Sequence, residues 1–137
     1  MTSQLDLTLL NRATEIARVQ DQLEQFAAAN RFPDRKLHEA QVAVEEHLTN
    51  ILHHGYEDDG EHYLRIRFTF AEAELRIQVE DDGRPFNPLE RPAPDLSIPI
   101  ADRPIGGLGI HMMRKSLDRM EYRREDGKNI LEMIKRI

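Results

Sequence analysis

The sequence has no cysteine among its 137 residues. This excludes a disulfide framework, a thiolate metal site and a thiol nucleophile. The chain also lacks a run of eighteen apolar residues, which excludes a transmembrane helix. Residues 1–6 lack the basic start and apolar stretch of a signal peptide. We therefore expect a cytoplasmic protein with no membrane role.

Basic residues are fewer than acidic ones, 19 against 25, so the formal net charge is -6. Nucleic acids and anionic membranes both attract clustered lysine and arginine. We therefore expect no direct nucleic-acid partner. The hydrophobic and charged fractions, 39% and 32%, are typical of a globular protein, and the length predicts one domain over residues 1–137.

A strand and a helix are predicted near the N-terminus. Residues 4–10 alternate apolar and polar side chains, which indicates a half-buried strand. Asn11 is a suitable N-cap for a helix over 12–29, because its side chain can accept a hydrogen bond from the first turn.

A second helix is predicted from Asp34, as its cap, to about His54, with Gly55 in the C′ position. At about 100° per residue, Glu46 and Asn50 lie nearly opposite the apolar stripe. That stripe consists of Leu37, Ala40, Val44, Leu48 and Ile51.

Glu46 and Asn50 are one helical turn apart and can contact one ligand together. Asn50 offers a neutral amide oxygen, a ligand type that Mg²⁺ accepts, and Glu46 could take a proton from an attacking hydroxyl group. A solvated helix face explains the same pair.

Four further segments are predicted to be strands. Residues 64–70 and 75–79 alternate apolar and polar side chains, and a turn near 71–73 makes them an antiparallel hairpin. Two more strands are expected near 119–124 and 129–137, although the last segment fits a helix almost as well.

Asp81 continues the inward-facing series of the second hairpin strand, so its carboxylate should point to the buried face. A buried carboxylate is costly unless it accepts hydrogen bonds, and the exocyclic amine of adenine could donate one. Gly83 lacks a Cβ and would let a flat ligand approach the backbone. A solvated Asp-Gly turn is the alternative.

Glycines precede a helix predicted over Gly107–Leu117. Gly106, Gly107 and Gly109 would place free N–H groups close to an anion such as phosphate. A flexible helix entry is the alternative. The preceding segment, 83–105, is rich in proline and is predicted to be a long irregular loop.

The histidines raise the hypothesis of a metal-dependent hydrolase. His47, His53 and His54 lie near Glu45 and Glu46. However, His47 and His53 are six residues apart and diverge around the helix, and the chain has no His-Glu-x-x-His pattern.

The order of these motifs resembles that of the GHKL ATPases, the superfamily of gyrase, MutL and the histidine kinases. Residues Glu45–Tyr56 resemble its N-box, Asp81–Phe86 its first glycine box, and Gly106–Gly109 its second. The short chain and its Tyr122–Asn129 ending are similar to the bacterial anti-sigma-factor serine kinases.

The resemblance implies an α/β (α+β) fold: a two-layer sandwich of a mixed, mainly antiparallel sheet with helices on one face. It also implies ATP and Mg²⁺ as cofactors. Asn50 would coordinate Mg²⁺, Glu46 would be the general base, and Asp81 would bind the adenine amine beside Gly83. Residues 88–105 would be the ATP lid. The other expected nucleotide-binding positions are His54, Arg103, Gly106, Gly107, Leu108 and Gly109.

The function implied is that of a protein serine/threonine kinase. It would phosphorylate an anti-sigma factor antagonist (a STAS domain), sequester a sigma factor or equivalent partner, and form a homodimer through the N-terminal strand and helix. Two positions depart from the superfamily pattern: Pro85 replaces the usual second glycine, and Arg103 is only approximately in register with a basic lid residue. They favour the alternative, an ATP-dependent partner-switching module that transfers no phosphate.

Overall fold

A computed structural model describes residues 2–90, 97, 99 and 107–137. Over these residues, five strands, three α-helices and one short 3-10 helix alternate along the chain. They are β1 (Ser3–Leu10), α1 (Ala13–Ala29), α2 (Asp34–His54), β2 (Tyr63–Ala71), β3 (Glu74–Asp81), the 3-10 helix Pro88–Glu90, α3 (Gly107–Ser116), β4 (Arg119–Glu125) and β5 (Lys128–Arg136).

The five strands form one sheet in the order β1-β2-β3-β5-β4. Each of its four pairings is antiparallel. Two hairpins produce this arrangement, with turns at Glu72–Ala73 and Asp126–Gly127 in which every residue has a positive φ. The expected fold class is confirmed, but the described sheet has no parallel pair, so the expectation of a mixed sheet is corrected.

One face of the sheet packs against α1 and α2. The inward series of β2 and β3 is almost fully buried, as the alternation of the sequence predicts. The core combines Leu64, Ile66, Phe68, Leu75, Ile77 and Val79 from these strands with Val19, Leu23, Phe26, Ala40, Val44, Leu48 and Ile51 from the helices. The sheet and the helices therefore form the two layers expected.

Membrane spanning by a helix is not supported: the described part of the chain has no helix of sufficient length and apolar character.

Asn11 is not the N-cap of α1, contrary to the prediction. Arg12 occupies that position and makes no side-chain capping bond. The Asn11 side chain instead accepts a hydrogen bond from the His62 N–H at 2.9 Å and donates one to the Gly60 carbonyl at 3.2 Å. Two hydrogen bonds, which join the end of β1 to the residues just before β2, therefore take the place of one capping bond.

The ends of α2 also differ in detail from the prediction. Asp34 is the first helical residue, and Pro33 is the cap, with no side-chain bond. The carboxylate of Asp34 in the first turn complements the helix dipole instead. Gly55 is the C-cap, with a right-handed φ of -79°, rather than a left-handed C′ residue.

Candidate functional site

Helix α2 carries two polar side chains that differ in burial. Ala40, Val44 and Ile51 of the predicted apolar stripe are buried, and Asn50 is buried as well, at 8% exposure. Glu46 is half-buried. The solvated-face interpretation is therefore wrong for Asn50, which faces the protein interior.

Glu46 lies directly against the start of α3. A Cβ atom built on Gly109 would overlap the Glu46 Oε2 atom, so a larger residue here would displace the Glu46 carboxylate. Gly107 and Leu108 form the first turn of α3, where backbone N–H groups have no partner within the helix. The structure thus brings together the N-box and the described part of the second glycine box. Arg103 and Gly106 lie outside the described residues.

Asp81 is the last residue of β3, and the residue is 4% exposed. Its Oδ1 accepts hydrogen bonds from the Gly83 N–H and from Asn129 Nδ2, both at 3.0 Å. Burial raises the pKa of the Asp81 carboxyl, and these two hydrogen bonds only partly oppose that effect. The inward direction predicted for Asp81 is confirmed, and the solvated-turn alternative is wrong.

Gly83 allows two backbone segments to meet. An added Cβ would lie 2.5 Å from the Gly55 carbonyl oxygen and 3.0 Å from Asp81 Oδ1. The next residue, Arg84, donates its backbone N–H to the same Gly55 carbonyl at 2.8 Å. The first glycine box is therefore packed on the end of α2, a reason for glycine that the sequence analysis did not foresee.

Asn129 is the site residue whose role the sequence analysis missed. It lies opposite Asp81 in the β3–β5 pairing and is 5% exposed. Its Nδ2 donates to Asp81 Oδ1 and, at 2.8 Å, to the Arg84 carbonyl. Its Oδ1 accepts from the Tyr122 hydroxyl at 2.5 Å and the Phe86 N–H at 3.2 Å. All four of its hydrogen-bonding positions are used, so Asn129 fixes both Asp81 and the glycine-box backbone.

His54 lies at the C-terminal end of α2, under the residues that follow Gly83. Its ring stacks with Phe86 at a centroid distance of 6.3 Å. Its carbonyl accepts hydrogen bonds from Arg84 Nη2 at 2.6 Å and Arg84 Nε at 3.0 Å. Arg84 and Phe86 therefore cover the C-terminal end of α2.

A small cavity joins these elements, and we call it the Asp81 cavity. It is lined by His47, Asn50, Ile51, Gly55, Asp81, Arg84, Phe86 and Asn129. Its volume of about 10 Å³ is room for about one water molecule. A purine ring is much larger, so a base enters this space only if a lining side chain such as Phe86 moves.

The histidines do not come together as a metal site in the described residues, where no group of three His, Asp or Glu side chains could hold an ion. His47 is buried, and burial lowers its pKa to about 4, whereas His53 is exposed.

A Mg²⁺ ion bound with a nucleotide needs only one or two protein oxygens, because phosphates and waters complete its shell. Asn50 fits that requirement, since its amide oxygen is a neutral oxygen ligand and none of the described residues accepts a hydrogen bond from its buried Nδ2.

The fold and the paired motifs define an ATPase-type domain. A family model described as the histidine kinase-like ATPase domain matches residues 9–135. Because this match covers almost the whole sequence, the chain belongs to that family.

Among its relatives, the serine-protein kinase RsbW of Bacillus thuringiensis is 32% identical over 116 residues, covering 80% of this chain and 71% of that protein. The serine/threonine-protein kinase BtrW of Bordetella bronchiseptica is 26% identical over 111 residues, covering 81% and 78%. The crystal structure of the RsbU and RsbW domains of Rv1364c from Mycobacterium tuberculosis matches with a TM-score of 0.70 at 17% identity. That match covers 98% of this chain but 32% of the other, and it shows the fold alone.

Proposed function

We propose that this protein binds Mg-ATP at the Asp81 cavity and transfers phosphate to a serine or threonine of a STAS-type anti-sigma antagonist. One observation carries the proposal. A buried carboxylate, Asp81, is held by Asn129 and Gly83 in the same cavity as Asn50 of α2. Relatives named serine or serine/threonine kinases support the choice of acceptor.

Asp81 would recognise the base. Its Oδ1 already accepts two hydrogen bonds from the protein. The carboxylate has further lone pairs, which could accept a hydrogen bond from the exocyclic amine of adenine. Because burial raises the pKa of Asp81, a donor on the ligand would relieve the cost of the buried charge. His54 and Gly83 would lie at the edge of the base.

The phosphates would lie between α2 and the start of α3. The amide oxygen of Asn50 would coordinate Mg²⁺, and the N–H groups at Gly107, Leu108 and Gly109 would face phosphate oxygens. The phosphate site would be completed by the segment 88–105, which includes Arg103 and would act as a lid, and by Gly106.

Phosphoryl transfer depends mainly on positioning and charge stabilisation. Bound Mg-ATP would supply the γ-phosphoryl group, and its Mg²⁺ would supply the positive charge that neutralises the phosphate oxygens. Glu46, whose carboxylate lies beside Gly109, would take the proton of the substrate hydroxyl group as that oxygen attacks the γ-phosphorus and ADP leaves.

The proposed partners are an anti-sigma antagonist, a sigma factor or equivalent protein, and a second copy of the chain. The second copy is supported by β1, because β1 is an edge strand with one charged residue, Asp6. Exposed edges of this kind are open to pairing unless charges protect them. β4, the other edge, carries five charged residues in its sequence RMEYRRE.

A second candidate function is an ATP-responsive binding module without transferase activity. Pro85 favours it, because proline fixes φ in the segment between Arg84 and Phe86 that would have to move for a base to enter. Binding without transfer would distinguish this module from a kinase.

The test is transfer of labelled γ-phosphate from ATP to the cognate antagonist by the wild type, Glu46→Gln and Glu45→Gln. Gln keeps the size of Glu46 but cannot take the proton. We expect Glu46→Gln to lose at least a hundredfold in transfer rate while still binding ATP, because general base catalysis contributes about 10²–10⁴-fold. Glu45 is an exposed neighbour on the same helix and serves as the matched control. Transfer that persists in Glu46→Gln contradicts the role of Glu46. ATP binding without transfer by the wild type supports the binding module.

A further inference from the structure

Two residues that line the Asp81 cavity each have a buried polar atom without a hydrogen-bond partner among the described residues: His47 Nδ1 and Asn50 Nδ2. Their residues are 4% and 8% exposed. An unpaired buried donor or acceptor is costly. Both atoms therefore require a partner that is not a side chain of the described residues.

The positions of His47 and Asn50 on α2 allow a single shared partner. His47 and Asn50 are three residues apart on α2, so their side chains are neighbours on one helix face. The cavity that both residues line has room for about one water molecule. A buried water typically makes about three hydrogen bonds, and the Asp81 carboxylate also lines the space.

The chemistry of the two groups fixes the direction of each hydrogen bond. Asn50 Nδ2 can only donate. Burial lowers the pKa of His47 to about 4, so its ring is neutral near pH 7 and one of its nitrogens is an acceptor. A water between them would accept from Asn50 Nδ2 and donate to His47 Nδ1. This arrangement requires His47 to carry its proton on Nε2.

We propose that His47 is a positioning residue for Asn50. Through one water held between the two side chains, beside the base and not in its place, His47 keeps the Asn50 amide with Nδ2 towards that water and Oδ1 presented to Mg²⁺. The opposite orientation of the amide would present an N–H group to the cation, which would repel it. The inference rests on the proposed binding of Mg-ATP, and it gives His47 a role in the binding of the metal rather than in recognition of the base.

The first test measures the dissociation constant of ATP with Mg²⁺ and with EDTA for the wild type, His47→Leu and His47→Gln. The ratio of the two constants is the Mg²⁺ enhancement. We expect His47→Leu to reduce this enhancement about tenfold, the effect of one hydrogen bond, beyond any change that it makes to ATP binding in EDTA. His47→Gln should keep the enhancement within about threefold, because its Oε1 can accept from the same water.

His53→Leu is the matched control, since His53 is an exposed histidine on the same helix. A purely structural role for His47 would change both dissociation constants together. If His47→Leu keeps the full enhancement, the role of His47 is overturned while Mg-ATP binding stands. If the wild type shows no Mg²⁺-dependent binding, the proposed function fails, and the inference fails with it.

The second test uses the wild type alone and so does not depend on a variant that folds. The ¹⁵N chemical shifts of the His47 ring show which nitrogen carries the proton. We expect an unprotonated Nδ1 that accepts a hydrogen bond, with the proton on Nε2. A protonated Nδ1 overturns the inference, because that atom could not accept the hydrogen bond from the water.

Discussion

Strand β5 carries two buried polar residues on the same face, Asn129 and Lys135, and their surroundings differ. Lys135, 3% exposed, donates to Glu39 at 3.1 Å and to the Ser116 carbonyl at 2.6 Å. It therefore joins β5 to α2 and to the last residue of α3. Asn129 instead adjoins the Asp81 cavity.

The two ends of this face differ in how completely their polar groups are paired. The ammonium group of Lys135 is held by a carboxylate and by a helix C-terminal carbonyl, both of which favour its charge. At the other end, Asp81 has a raised pKa, and His47 and Asn50 each have a polar atom without a partner in the described part of the chain. The paired charge of Lys135 indicates a structural role, whereas the incompletely paired polar groups at the other end are those that we propose to lie at the ligand site.

The largest effect is expected for Asp81→Asn. Asn keeps the Oδ1 acceptor for Gly83 and Asn129, but it presents an amine where adenine also presents one. We expect ATP affinity to fall about a hundredfold, or about 3 kcal/mol. The unfolding free energy should stay equal or rise, because a buried charge is removed. Isothermal titration calorimetry and urea unfolding measure the two quantities.

Asp82→Asn is the control for this change, because Asp82 is the exposed neighbour and its Oδ1 accepts from the Tyr56 hydroxyl, a bond that Asn can keep. An equal loss of affinity in both variants would show that the general charge of this segment matters rather than the Asp81 carboxylate.

Lys135→Met tests the structural end of the comparison. The change removes the buried partner of Glu39, but Glu39 keeps 27% side-chain exposure and its contact with Arg35, which reduce the cost. We expect the unfolding free energy to fall by about 2 kcal/mol, with ATP affinity unchanged. Arg35→Met is the control, since Arg35 contacts the same Glu39 at 3.3 Å from an 89% exposed side chain. A large loss of ATP affinity in Lys135→Met would break the distinction between the two ends.

His47 predicts a pH dependence of stability. Its pKa is lowered from 6.5 to about 4 by burial, so the unfolded chain binds a proton before the folded one does. Stability therefore falls as the pH drops below about 6.5 and continues to fall towards 4. Between pH 6.5 and 5.5 we expect His47 to account for a loss of about 1 kcal/mol.

The measurement is urea unfolding across this pH range for the wild type, His47→Leu and His53→Leu. His47→Leu should lose less stability on acidification than the wild type, and His53→Leu should follow the wild type. Equal slopes for all three would show that His47 titrates in the folded protein as it does in the unfolded chain.

Local patterns predicted the parts of the site that one segment determines. The alternation of β3 placed Asp81 inward, and helical spacing placed Glu46 and Asn50 one turn apart. The partner of Asp81 could not be found in this way, because Asn129 is 48 residues away and meets it only through the register of β3 with β5. That register depends on tertiary packing.

The errors at the helix ends have the same origin. Asn11 has the side chain of a good N-cap, but it hydrogen-bonds to residues near the start of β2 instead.

The ambiguity of the last segment, which fits a helix almost as well as a strand, also has a physical cause. β5 lies between β3 and β4, and both of its faces contain buried residues, among them Ile130 on one face and Leu131 on the other. A strand buried on both sides loses the strict alternation that distinguishes it from a helix.

The smallest effect is expected for Tyr122→Phe, which removes the hydroxyl that donates to Asn129 Oδ1 at 2.5 Å. That oxygen keeps its second donor, the Phe86 N–H, so no buried acceptor is left unpaired. We expect a loss of about 0.5–1 kcal/mol in unfolding free energy. ATP affinity should fall only about threefold, because Asn129 would still hold Asp81 through Nδ2. Calorimetric titration and urea unfolding measure both. A loss as large as that of Asp81→Asn would mean that Tyr122, rather than Asn129 alone, sets the position of the Asp81 carboxylate.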